Sequence, residues 1–218
     1  CALNISSSCD GSLSVFSSKA TNFTGYSGGG HHVFLMDIRN GVSVEDLTID
    51  ASGDSISTSP TISCNGRYVV YSKKDRAVVA TPPGGINAAY QVVRFDRLTG
   101  ERQYITNQVY PDTYGYRAAP ASVSDSGDVV LTSGPDTDLY HRRVYFKHLS
   151  DGSGTLESVH HIYQGLNYEP QFTPTYLVSA NGKYIVVSSK AAEFLGLLPA
   201  AGMGTSIPAD IIRVKTGL

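Results

Sequence analysis

One pattern recurs four times along this chain of 218 residues and constrains its fold more than any other feature. The segments SCDGSLSVFSSKATNF from Ser8, SCNGRYVVYSKKDRAV from Ser63, SDSGDVVLTSGPDTDL from Ser124 and SANGKYIVVSSKAAEF from Ser179 align on Gly11, Gly66, Gly127 and Gly182, at spacings of 55, 61 and 55. Each places a polar turn ahead of a short apolar run, such as Tyr68 to Tyr71 or Tyr184 to Val187. Asn-Gly and Asp-Gly accept the positive φ of a tight turn, so each segment reads as a β-hairpin. Upstream of three turns a Pro (Pro60, Pro120, Pro174) sets the entry of a short strand; the first repeat has LNISS there instead.

Downstream of each hairpin comes a variable Gly/Pro-rich loop and then a third strand: HHVFLMDIRNG from His31, YQVVRFDRLTG from Tyr90, RRVYFKHLSDG from Arg142 and ADIIRVKTG from Ala209. Asp37, Asp96 and Lys147 mark the strand ends, and the following Gly turns the chain. A fourth strand follows in three repeats: VSVEDLTI from Val42, RQYITN from Arg102 and ESVHHIY from Glu157. Four antiparallel strands recurring about four times is the sequence logic of β-propeller blades, because one blade cannot bury both faces alone. The chain therefore reads as all-β, a single propeller domain over 1–218 with repeats of approximately 3–55, 56–117, 118–170 and 171–218. The alternative is a β-sandwich of hairpins, which would not demand the same turn and strand order four times.

The order Ser-x-(Asp/Asn)-Gly, the aromatic-Val-apolar-aromatic-Ser run, SKATNF and VFLMDIRNG together resemble the repeat of the TolB-like, WD-related propeller family of bacterial envelope and secreted proteins. The resemblance covers nearly the whole chain. It implies blade architecture and says little about function, since such blades serve scaffolds, protease gates and some carbohydrate-active enzymes. The third repeat, with Ser126-Gly127, and the fourth, with its long apolar loop, match less closely.

The fourth repeat stops at Leu218 just after its third strand, and only Cys1 to Leu3 precede the first inner strand. The last blade is thus expected to lack its outer strand. Three readings follow: a three-stranded final blade, a fragment of a larger propeller, or an edge at Ile211, Ile212, Arg213 and Val214 completed by another chain.

A formal net charge of −2 supplies no basic field, so nucleic acid is not an expected partner. No apolar run reaches 18 residues, and the tract from Phe194 to Met203 is broken by Gly196, Pro199 and Gly202, so no membrane span is expected. The start at Cys1 reads as processed or trimmed, with a lipidated cysteine as the alternative. Cys1, Cys9 and Cys64 fit no zinc spacing and leave one thiol over if one disulfide forms. Asn4-Ile5-Ser6 and Asn22-Phe23-Thr24 are glycosylation acceptor patterns, which fit an extracellular or envelope-exposed glycoprotein.

Function is expected on the variable loops. Tyr26, Tyr110, Tyr114, Tyr116 and Tyr140, with Arg117, offer flat amphipathic area for a protein or glycan, and YPDTYGYR from Tyr110 is the leading candidate. Asp136 and Asp138 alternate beside Gly134 and could face a calcium ion; no other cofactor is indicated, and a full calcium loop needs more ligands. Adjacent histidines, His31-His32 and His160-His161, point to opposite faces of a strand and cannot chelate as a pair. The run GYSGGG from Gly25 to Gly30 has Gly-x-Ser-x-Gly spacing but reads as a flexible loop followed by a strand, not as a nucleophile elbow or a phosphate loop, and paired glycosidase carboxylates cannot be singled out. The favoured reading is a non-catalytic binding or scaffold module, recognising a protein or glycan or assembling through an open sheet edge. The alternative is a propeller-type polysaccharide lyase or hydrolase with a site near the axis.

Overall fold

The computed structural model describes residues 2–20, 22, 30–48, 56–74, 90–106, 116–135, 143–149, 156–161, 176–189 and 210–215. Among them there is no helix, and none long and apolar enough to cross a membrane. The first strand group is β1 (Ala2–Ser7), β2 (Leu13–Ser18), β3 (His32–Asp37) and β4 (Ser43–Asp46), each antiparallel to the next. The second is β5 (Ile56–Ile62), β6 (Tyr68–Lys74), β7 (Tyr90–Asp96) and β8 (Arg102–Tyr104). The third is β9 (Tyr116–Val123), β10 (Val129–Pro135), β11 (Arg143–Lys147) and β12 (Leu156–His161). A single parallel pairing, Tyr90 with Arg117, links the second and third groups. The fourth is a three-stranded sheet of β13 (Tyr176–Val178), β14 (Tyr184–Ser189) and β15 (Asp210–Lys215).

All four hairpins form where the Ser-x-x-Gly motif places them. Gly11, Gly66, Gly127 and Gly182 sit at φ of 70, 74, 91 and 73°, a region that costs a residue with a Cβ about 1–2 kcal/mol. The third strands end at Asp37, Asp96 and Lys147, as the sequence leads one to expect.

Period-two alternation then divides each sheet between two neighbours. Leu13, Val15, Val33, Leu35 and Leu47 of the first group bury against Ile62, Val69, Tyr71, Val93 and Phe95 of the second. The second group's other face, with Tyr68, Val70, Val92 and Ile105, buries against Val123, Val129 and Leu131 of the third. Val130 and Phe146 turn the opposite way and meet Tyr176 and Ile185 of the fourth. Adjacent residues such as Val69 and Val70, or Val129 and Val130, thus belong to different cores. A sandwich sheet buries one face only. Here the middle sheets bury both, so the groups are blades stacked side by side in a β-propeller arrangement. Among the described residues, no strand pairing and no core joins the first blade to the fourth, and no strand pairs with the outer edge of β15.

The inner strands differ from expectation in one respect. Pro60 and Pro120 lie inside β5 and β9 rather than at their entries, and Pro174 falls outside the described residues. Each of these two strands carries a bulge beside the proline. Pairing jumps from Thr58 to Thr61 opposite Ser72 and Val70, and from Pro120 to Ser122 opposite Leu131 and Val130. β1 has the same irregularity at Asn4, between Leu3 and Ile5. Asn4 and Ser59 take positive φ, 53 and 54°, as the extra residues. A bulge removes ladder bonds locally, so a proline without an N–H costs little there.

Candidate functional surface at the inner turns

The inner turns, joining the first and second strands of each blade, carry the densest polar chemistry among the described residues. Within each turn the first Ser closes the loop. Ser63 Oγ donates to Asn65 Oδ1 at 2.8 Å and accepts the Tyr68 N–H at 3.0 Å. Ser179 repeats this with Asn181 and Tyr184, at 2.8 and 3.0 Å, and Ser8 with Asp10 and Leu13, at 2.6 and 3.1 Å. The hydroxyls of Ser8 and Ser12, with the Ser12 N–H, hold the Asp10 carboxyl down at about 2. The third repeat lacks the Asx residue and rebuilds the turn. Ser126 takes the Asx place, and its hydroxyl donates to buried Asp128 at 2.7 Å, while Asp128 Oδ1 accepts the Leu149 N–H at 2.8 Å.

The second position of each turn reaches the next blade. Cys9 N–H donates to the Cys64 carbonyl at 2.9 Å, and Asp125 N–H to the Ala180 carbonyl at 2.8 Å. Between blades two and three the Asp125 carboxylate takes over, accepting the Asn65 N–H at 2.7 Å, while Asn65 Nδ2 donates to the Asp125 carbonyl at 3.3 Å. Across the first seam the two side chains are covalently joined: Cys9 and Cys64 form a disulfide with Cα atoms 4.6 Å apart. Their separation of 55 equals the spacing of the first two repeat glycines. That coincidence is the signal for a pairing that the cysteine count alone does not supply.

Arginines tie the same seams. Arg102 donates to the Leu47 carbonyl of the first blade at 3.1 Å and stacks over Phe95. Arg94 donates to the Gly127 carbonyl of the third blade at 3.2 Å, and Arg94 and Arg67 both lie over the Tyr68 ring, at 5.0 and 4.7 Å. Arg67 forms an ion pair with Asp96 at 2.8 Å, and this partner above all lowers the Asp96 pKa. Arg39 pairs with Asp37 and holds that carboxyl at about 2.

The most enzyme-like grouping is His32, Asp46 and Thr48 in the first blade, all three with buried side chains. His32 Nδ1 lies 2.7 Å from Asp46 Oδ2, and Thr48 Oγ1 donates to Asp46 Oδ1 at 2.9 Å. The Thr48 oxygen also accepts the Val33 N–H at 3.1 Å, and Thr106 accepts the Val92 N–H at 2.9 Å in the second blade. A role repeated at equivalent places in two blades is strand fastening, not nucleophilic attack. Beside this group, burial first and then the charge of Lys19 press the His31 pKa below its ordinary value. Among the described residues, no group of three His, Cys, Asp or Glu side chains could hold a metal ion.

Of the residues the sequence singles out, Tyr26, Tyr110, Tyr114, Tyr140, Asp136 and Asp138 lie outside the described residues. Tyr116 and Arg117 open β9, the innermost strand of the third blade, and the structure does not bring them together with the inner turns. Asn4 and Asn22 are both exposed. Ile211, Ile212, Arg213 and Val214 pair along β14 opposite Ser188, Val187, Val186 and Ile185.

No known protein family matches the sequence, and no curated protein does. Solved structures do match. TolB from Acinetobacter baumannii aligns with a TM-score of 0.50 at 15% identity, over 87% of this chain and 38% of its own. A puromycin-hydrolyzing peptidase of Mycobacterium tuberculosis aligns with a TM-score of 0.51 at 11% identity, over 100% of this chain and 28% of its own. The chain thus spans well under half the length of either. Two proteins with such different names share this arrangement of blades, so the comparison carries the fold alone.

Proposed function

We propose that the chain is a propeller module of an oxidising, extracytoplasmic compartment that binds or scaffolds rather than catalyses. The observation that carries this reading is the use made of its polar groups: the buried His32, Asp46 and Asp128, the paired Asp96, and the inner-turn Asx residues are all committed to fastening strands or blades. A disulfide between two turns fits an oxidising compartment, and so do acceptor asparagines on exposed backbone. The recognition surface in this reading is the opposite, variable loop face, with Tyr26, Tyr110, Tyr114, Tyr116, Arg117 and Tyr140 as contact residues for a protein or glycan. Asp136 and Asp138 are the place to look for calcium. The test is to screen the purified chain against an array of polysaccharides and glycoproteins while assaying the same samples for chain cleavage. Saturable binding without turnover supports the reading. Turnover of a polysaccharide or peptide refutes it and favours an axial hydrolase or lyase site.

A further inference from the structure

The turns between third and fourth strands share a face with the inner turns, since the Ile38 N–H donates to the Ser12 carbonyl and the Arg97 N–H to the Arg67 carbonyl, both at 3.0 Å. On that face, at the seam of the first two blades, Arg97 stands apart from the other charged groups. Its guanidinium donates to the Gly66 carbonyl at 2.8 Å, and Gly66 lies against Leu13 of the first blade, whose strand partner is Asp37. The neighbouring aspartates are taken: Asp37 pairs with Arg39, Asp96 with Arg67, and Asp10 accepts from Ser8 and Ser12. Arg97 therefore has no ion pair among the described residues, although it is half-buried and feels the charges of Asp37 and Glu45. Burial first and then the charge of Arg39 press its pKa below the ordinary value, so the cation is held where an added anion would relieve it.

Apolar side chains accompany this cation on both blades. Leu98 follows it in the second; in the first, Ile38 follows Asp37, and continuing the register of Asp37 with Ser43 sets Val42 opposite Ile38. Ile38 is 49% exposed, and Val42 and Leu98 are each 76% exposed. The turn itself does not require this. Leu98 and Leu149 hold the same place after their third strands, and each N–H donates to an aspartate, Asp96 at 2.9 Å and Asp128 at 2.8 Å. Leu149 packs on the core between the second and third blades, whereas Leu98 is left outside. Single exposed apolar residues are ordinary. Three of them around a half-buried guanidinium without a carboxylate make a surface with both an anchor and an area to bury.

We propose that this seam binds an extended peptide segment of another protein in which one acidic side chain is set between apolar residues, with the carboxylate on Arg97 and the apolar residues against Leu98 on one blade and Ile38 and Val42 on the other. Charge decides the partner. A guanidinium takes a carboxylate in matched fork geometry, whereas one cation beside Asp37, Asp96 and Glu45 gives no field for a polyanion. The site lies on the face opposite the variable loops, so it is a second contact surface and does not depend on the loop-face reading.

The probe is a set of fluorescein-labelled, C-amidated pentapeptides of Leu, Ile and Ser carrying one Glu, each beside its Gln counterpart, titrated with the chain and read by fluorescence anisotropy. Saturable binding is expected, roughly tenfold or more weaker for Gln than for Glu, because the charge-assisted bond is lost. R97Q should abolish that preference and leave Glu and Gln peptides equal. V42S/L98S, at positions too exposed to disturb the core, should weaken both peptides severalfold and keep the preference. K183Q, on the inner turn of the fourth blade, should change nothing. R97Q also removes the bond to Gly66; if it does not fold, the Glu-to-Gln ratio and V42S/L98S decide without it. The proposal is overturned if no peptide saturates, if Glu and Gln bind alike to the unmodified chain, if V42S/L98S binds unchanged, or if K183Q costs as much as R97Q. Binding removed by Y116A rather than R97Q overturns it by moving the contact to the variable loops. A chain that sediments as a dimer, becomes monomeric as V42S/L98S and takes no peptide overturns it too, by giving the surface to a second copy.

Discussion

Removing the Cys9–Cys64 bridge tests the blade arrangement directly, because its effect follows from chain length and seam. The bridge closes a loop of 55 residues. On the chain-entropy account, a cross-link of that span restricts the unfolded chain by about 4 kcal/mol. The seam it crosses also holds ten buried side chains, from Leu13 to Phe95. At roughly 1.5–3 kcal/mol for each large apolar side chain, burial outweighs the cross-link several-fold in gross terms. The C9S/C64S double variant should therefore still fold. It should also be markedly weaker, since about 4 kcal/mol is roughly a quarter or more of the ~5–15 kcal/mol net stability of an ordinary domain. With a urea dependence of about 2 kcal/mol per molar, the unfolding midpoint should fall by about 2 M, and treatment of the native chain with a dithiol reductant should reproduce the shift. Hydrogen exchange should speed up first along β1 to β4, the blade the bridge retains. An unchanged midpoint, or three titratable thiols in the oxidised native protein, would refute the reasoning.

Three further outcomes are expected. G66A should cost more than G11A, because a Cβ at Gly66 would stand 2.5 Å from Leu13 Cδ1 whereas one at Gly11 meets nothing within 4 Å; both pay the left-handed strain of about 1–2 kcal/mol, and thermal melts of the two variants rank them. D128A should destabilise by about 1–3 kcal/mol in chemical denaturation, because it leaves the Leu149 N–H and the Ser126 hydroxyl without their acceptor in a buried turn. The Asp10 carboxyl, held at about 2 by Ser8 and Ser12, favours the folded state through its ionised form; that contribution is complete above the unfolded value of 3.8 and is lost as pH falls through about 2. Carbon-detected NMR titration should show the low midpoint, and S8A should move it upward.

The sequence made the fold legible because its repeat is punctuated by a residue with a physical requirement. Gly11, Gly66, Gly127 and Gly182 need positive φ, and the runs after them alternate faces, so hairpins and third and fourth strands fall where spacing places them. Alternation also separates His32, buried against Asp46, from its neighbour His31. What connects one blade to the next was harder to read, since it depends on residues a repeat apart. Cys9 and Cys64 occupy the same motif position, yet each reads singly as an unassigned cysteine. Asp125 and Asn65 give no pairing signal at all, because their contact exists only once two turns lie side by side. Pro60 and Pro120 mislead mildly: a proline reads as a strand entry, and only the bulge beside it shows how it fits inside. The fourth repeat's long apolar loop obscured nothing about its hairpin, whose Ser179, Asn181 and Gly182 repeat the pattern of the second blade.

The two residues between the Ser and the Gly of each inner turn also act as an address. Cysteine answers cysteine across the first seam, aspartate answers asparagine across the second, and a plain backbone contact serves the third. Blades that look interchangeable in outline are therefore not interchangeable in order. Exchanging the second and third would strand one thiol against a carboxylate and leave the other without a mate, so a shuffled gene would encode the same set of sheets without the sequence of handshakes that lines them up.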